Sequence, residues 1–460
     1  MKIRYLFYLA LLAFVVSCKP EVNEFTPSKG GADFTTYVAV GNSLTAGYAD
    51  GALYKSGQSY SWANILGQQF ATVGGGAFVQ PVVTSEFGVL PGKRKLGLST
   101  DCLGVQSLGP VLDNGELDPY TNHVDYAVNN LGVPGAKALH LLAPGYGNPA
   151  NLAAGLANPY FVRFASTTDP NITVVGQAMS MSPTFFSLWI GNNDVLGYAT
   201  SGGAGDVITD TLAFSEYYFG LIQTLTTGGA KGVVANIPGV TSTAFFTTIP
   251  SDVIDIPDTP EGQGYLAILN GEQGYAPYNA FMESHGLPYR ITFAIGPNQM
   301  VIKDPAMSFY DLPEQLQIRQ MVDGELALLT LPQDSIKCAT WGSGVPVPDQ
   351  YILTKAEIDY ITSSTTAFND IIYQAALAKG LAFVDVNAIM SEVATTGVTF
   401  DGITFTNTFV TGNLFSLDGI HLTPQGNAVV ANYFIDAING QYGAQIPKVS
   451  VANYPPIPFP

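Results

Sequence analysis

Apolar runs without strict alternation recur along the chain. Tyr37-Val38-Ala39-Val40 stops at Gly41, and similar runs lie at 124–128, 185–190, 232–237 and 381–386. Such runs predict strands covered on both faces, the mark of a parallel sheet. Helical patterns fall between them, at 59–70, 212–225 and 354–377. Thr354 followed by Glu357 forms a capping box at the start of the third. Thr423 as N-cap, with Pro424 at the first helical position, predicts a last helix to about Ile438. Strand and helix in alternation predict an α/β domain built on an open, doubly wound sheet. Right-handed crossovers then place the functional crevice at the carboxyl ends of the strands.

Two intervals, 71–122 and 239–351, break the pattern. They are rich in Gly, Pro and aromatic residues and far longer than ordinary connections of about 2–6 residues. We expect structured insertions over the active-site face, as lid or pocket walls, with a separately packed small subdomain as the alternative. The chain is 47% hydrophobic and only 12% charged, which favours ordered loops over disordered linkers. One domain is therefore expected over 32–445, with a tail at 446–460. The net charge of -18, without a Lys/Arg stripe, excludes nucleic acid as an expected partner.

Lys2 and Arg4 precede an apolar run at 5–16 that is too short to span a bilayer comfortably, and Cys18 follows a small residue. This segment resembles the lipobox of bacterial lipoproteins. The resemblance implies a signal peptide at 1–17, lipidation of Cys18, a tether at 18–31 and attachment to a membrane of the cell envelope as an outer-membrane lipoprotein. The acidic stretch at 19–24 loosely resembles the export signal of surface lipoproteins in Bacteroidetes-like bacteria. An ordinary cleaved signal peptide with an incidental cysteine is the alternative. Cys102 and Cys338 could pair in an oxidising compartment or stand as two separate thiols.

Candidate chemistry lies just after the predicted strands. Gly41-Asn42-Ser43 follows the first, and Asn130-Leu131-Gly132-Val133-Pro134-Gly135-Ala136 follows the second. Gly191-Asn192-Asn193-Asp194 follows the third, and Asp418-Gly419-Ile420-His421 precedes the last helix. Each has a plain structural reading: a turn serine, a glycine beside proline, an asparagine bracing a turn, a helix-entry acid. Asp194 is expected to accept backbone N–H groups. His123, His140 and His285 lack this context and read as structural or surface residues.

The four segments, in this order, resemble the blocks of the SGNH/GDSL hydrolase family. That resemblance implies a three-layer α/β/α, flavodoxin-like fold with a parallel sheet of about five strands. It also implies Ser43 as nucleophile, His421 as its base and Asp418 as the orienting acid. The oxyanion hole would be formed by Ser43 N–H, Asn193 and Gly135, with Gly132 as the fallback glycine. The expected activity is cofactor-free, metal-free hydrolysis of a lipid or other acyl ester. The alternatives are O-deacetylation of a polysaccharide, or non-catalytic binding of glycan or lipid at the surface. The family's usual Asp before the serine is Asn42 here; that position is not a triad member.

Overall fold

The computed structural model describes residues 25–460, so Cys18 and the expected signal segment lie outside the described residues. Five strands form one parallel sheet: β1 (Tyr37–Gly41), β2 (Asn130–Gly132), β3 (Phe185–Trp189), β4 (Lys231–Ala235) and β5 (Ala382–Val384). Their spatial order is 2-1-3-4-5, the flavodoxin-like doubly wound order.

Alternation along each strand divides the core into two layers. Val38, Val40, Phe186, Leu188 and Val234 face a cluster built on α4 (Thr211–Leu225) and α5 (Lys355–Lys379), including Phe214, Tyr218 and Phe368. Tyr37, Ala39, Phe185, Trp189 and Val233 face the opposite cluster. There Trp62 and Phe70 come from α2 (Trp62–Ala71), and Phe434 and Ile438 from α7 (Pro424–Tyr442). Each buried Val, Leu, Ile or Phe among them contributes roughly 1.5–3 kcal/mol. Both expected helix starts are present: Glu357 Oε2 accepts from Thr354 N–H at 2.8 Å, and Thr423 Oγ1 accepts from Gly426 N–H at 2.9 Å.

The second strand differs from the sequence reading. The run at 124–128 is not in the sheet; pairing starts at Asn130. Val124 N–H is committed to Arg163 O, and Tyr126 is exposed. Two amides select the register instead. Asn129 Nδ2 donates to Tyr37 O, and Asn130 Nδ2 donates to Thr45 O. Apolar periodicity does not register side-chain amides that bond to a neighbouring strand or helical turn.

The first insertion carries an antiparallel hairpin, Arg94–Thr100 with Gln106–Leu112. The second has its own core, with Ile256, Met282, Met300, Ile302 and Val347 buried together. Within it, the enclosed Arg319 pairs with Asp304 and Glu325, each at 2.6 Å. Cys102 and Cys338 are bonded, so the pairing left open by the sequence ties one insertion to the other. Among the described residues no helix is long and apolar enough to cross a membrane.

Candidate active site

The end of β1 is shaped by what cannot fit there. A Cβ on Gly41 would lie 2.2 Å from Thr45 Oγ1 and 2.5 Å from Trp189 O. The strand therefore turns directly into α1 (Ser43–Ala46), a single helical turn. Asn42 caps it: Oδ1 accepts from Leu44 N–H at 3.0 Å, while Nδ2 donates to Asn192 Oδ1 at 3.1 Å. An ionised Asp could make the first bond but not the second, because a carboxylate only accepts. Asn at this position thus links the turn after β1 to the turn after β3.

At the other end of the chain, the loop before α7 brings His421 to Ser43, with Nε2 2.8 Å from Oγ. His421 Nδ1 lies 2.9 Å from Asp418 Oδ2. An ionised carboxylate must accept, so Nδ1 carries the proton and Nε2 is left as an acceptor toward the serine hydroxyl. Asp418 also receives the backbone N–H groups of Ile420 and His421 on Oδ1 and of Gly51 on Oδ2. Burial alone would raise its pKa. The His421 charge and these hydrogen bonds outweigh it and hold the carboxyl well below the ordinary carboxylate range.

Three supporting residues were not apparent from the sequence. Ser416 Oγ donates to Asp418 Oδ1 at 3.2 Å and accepts from Asp50 N–H at 2.9 Å. Asp50 Oδ1 accepts from Leu417 N–H, and burial raises its pKa. The Tyr48 ring packs against His421 at 4.7 Å, and its hydroxyl donates to Gly51 O. The segment 48–51 thereby straps the loop at 416–421. Asp50-Gly51 reads locally as an ordinary turn, which is why no sequence signal marked it.

The remaining candidates lie in the turns after β2 and β3; of them Asn193 lines the cleft with Ser43 and His421, whereas Gly132 and Gly135 do not. Gly191, at φ 114°, turns the chain after β3 so that Asn193 opens α3 (Asn193–Thr200). Asn193 Nδ2 donates to Ala136 O at 2.8 Å, which ties it to the turn holding Gly135 at φ 79°. Gly132 is needed for another reason: a Cβ there would meet Ala46 N at 2.3 Å, so it seats β2 against the serine turn. Asp194 accepts from Ala138 N–H and Thr209 Oγ1, and burial pushes its pKa up to about 6. His123 meets Asp125 and Ala165 O, His140 accepts from Lys137 N–H, and His285 packs on Phe281.

Ser43, Asn193 and His421 line one cleft, whose walls are mostly apolar. Those walls come chiefly from α6 (Val386–Thr395), α7 and the loop at 414–422. The second insertion contributes Val240 and Thr243 and the first contributes none, so the insertions supply less of the wall than the sequence led us to expect. The second insertion acts closer to the loop of Asp418, where Phe245 N–H donates to Gly419 O at 2.9 Å. Among the described residues, no group of three or more His, Cys, Asp or Glu is placed to hold a metal ion.

No family model and no curated protein matches this chain. Among solved structures, it is similar to LAE5, an alpha/beta hydrolase enzyme from the metagenome of Lake Arreo, Spain. The identity is 11%, over 89% of this chain and 96% of that one, with a TM-score of 0.35. It is also similar to a gut microbial diltiazem-metabolizing enzyme at 13% identity, over 90% of this chain and 48% of that one, with a TM-score of 0.28. The chain thus spans about half the length of the second structure. Likeness of this degree carries no functional weight, and the site's own geometry has to do so.

Proposed function

We propose that this protein is a serine-dependent carboxylic ester hydrolase of the SGNH/GDSL type. The observation that carries the reading is the hydrogen-bonded series Ser43–His421–Asp418, which opens onto an apolar cleft. His421 takes the proton of Ser43 as Oγ attacks the ester carbonyl, then gives it to the departing alcohol. Asp418 fixes the imidazole tautomer and stabilises the imidazolium without itself being protonated. Water repeats the attack on the acyl-enzyme, assisted by the same base. The developing oxyanion is received by the Ser43 and Gly135 N–H groups and by the Asn193 amide. The uncharged cleft favours an acyl ester over a charged substrate.

A fluorophosphonate probe tests the reading directly. The wild type should be labelled and Ser43→Ala should not; an unlabelled wild type that leaves p-nitrophenyl acetate and butyrate intact would point to a binding protein instead. Asn193→Ala should lower kcat by on the order of 10²–10³, the usual cost of one oxyanion donor, with KM for p-nitrophenyl butyrate little changed. A loss confined to KM would remove Asn193 from that role. The lipid anchor at Cys18 and the cell-envelope location belong to the same proposal. Radiolabelled palmitate incorporated by the wild type and not by Cys18→Ala would support them.

A further inference from the structure

The loop at 416–421 is a partition with two sides. Ile420 and His421 line the cleft of Ser43, whereas Ser416 and Leu417 line a separate cavity of about 420 Å³. On that far side Leu417, the residue before Asp418, is buried against Leu96 of the first insertion and Ile457 of the C-terminal tail. Its backbone N–H is held by Asp50 Oδ1 at 3.0 Å. Its side chain rests on this small apolar cluster, which Val410 completes.

The tail reaches this point because α7 guides it back. Two asparagines on the helix each hold both backbone groups of one tail residue. Asn439 Nδ2 donates to Ile446 O at 3.0 Å, and its Oδ1 accepts from Ile446 N–H at 2.9 Å. Asn432 does the same for Val449, at 2.9 Å in both directions. Seven helical residues and three extended ones both span roughly 10 Å. The tail therefore runs antiparallel to α7, toward the helix start that follows His421. Asp401 Oδ2 accepts from Val451 N–H at 2.6 Å, and Tyr454 meets the Tyr60 ring edge-on at 6.1 Å. The tail then reads Pro455-Pro456-Ile457-Pro458. Proline fixes φ near −65°, so the backbone on both sides of Ile457 is stiff and delivers its side chain to one place.

We infer that Ile457 is a positioning residue for catalysis: through Leu417 it holds Asp418 within reach of His421 Nδ1. This rests on the serine-hydrolase reading above. Ile457 and Leu417 both border the 420 Å³ cavity. A shortened side chain at 457 therefore leaves Leu417 beside open space rather than beside another neighbour. A loop free to shift carries the carboxylate off the imidazole, and small displacements of a catalytic group are costly.

The test is a double-mutant comparison on the full-length protein, with kcat and KM measured for p-nitrophenyl butyrate. Ile457→Ala should lower kcat by about 10- to 100-fold with KM little changed. Ile457→Leu, which conserves volume, should restore most of the loss. In an Asp418→Asn background, Ile457→Ala should cost no more than about twofold, because the group it positions is already gone. Ile457→Val, one methylene shorter, carries the comparison should the alanine variant fail to fold, with a smaller loss that again appears only where Asp418 is intact. Equal losses in both backgrounds, a loss confined to KM, or no loss at all would overturn the assignment and leave Ile457 as ordinary packing. A wild type that neither takes up a fluorophosphonate nor hydrolyses the ester would instead overturn the serine-hydrolase reading itself.

Discussion

Replacing His421 with alanine should lower kcat toward butyrate esters by on the order of 10⁶, to the level left by substrate binding and oxyanion contacts alone. The reason is geometric. Nε2 is the acceptor facing Ser43 Oγ, at 2.8 Å, and the serine has no other base within reach in the described hydrogen bonding. An alcohol with no base beside it is a poor nucleophile at neutral pH. Because nucleophile and base act as a unit, adding Ser43→Ala to His421→Ala should cost almost nothing further. Steady-state rates of the two single variants and the double variant check this. A double variant slower than either single by another factor of 10³ would mean that the two residues work independently.

Asp418→Asn is expected to cost about 10⁴ in kcat, because an amide can leave the imidazole in the wrong tautomer. The wild-type pH profile should carry the same information. Asp418 stays ionised far below the usual carboxylate range, so the acid limb of kcat/KM should carry no step from this carboxyl. A carboxyl whose folded pKa is depressed contributes stability that is present above its unfolded pKa. That contribution fades as pH falls from about 4 toward the lower folded value. Acid titration of thermal stability for wild type and Asp418→Asn should therefore converge at low pH. A constant gap between the two down to pH 2 would mean that the carboxylate contributes by packing rather than charge.

Four of the five strands were legible in the sequence because hydrocarbon runs such as Tyr37–Gly41 and Phe185–Trp189 are buried on both faces. The last helix was legible because Thr423 and Pro424 mark its start chemically. The strand after 124 was misplaced because amide side chains, not apolar periodicity, choose its register. At the site, residues acting through their own side chains were visible as motifs. The strap was not: Asp50, Gly51 and Ser416 act by bonding to backbone groups or through short hydroxyl contacts, and Gly51 lies 367 positions from its partner Asp418. Nothing local distinguishes such residues from turn formers. The crevice wall on α6 was hidden for a related reason, since an inward apolar helix face reads the same whether it meets other side chains or an open slot.

The nucleophile and its base are separated by 378 positions, and the base arrives only after the fifth strand. No chain that ends before position 421 can place the two together. On the proposed mechanism, a chain that stops short of position 421 has a serine without its base. The proposed reaction becomes possible only once the loop before α7 has closed on the serine turn.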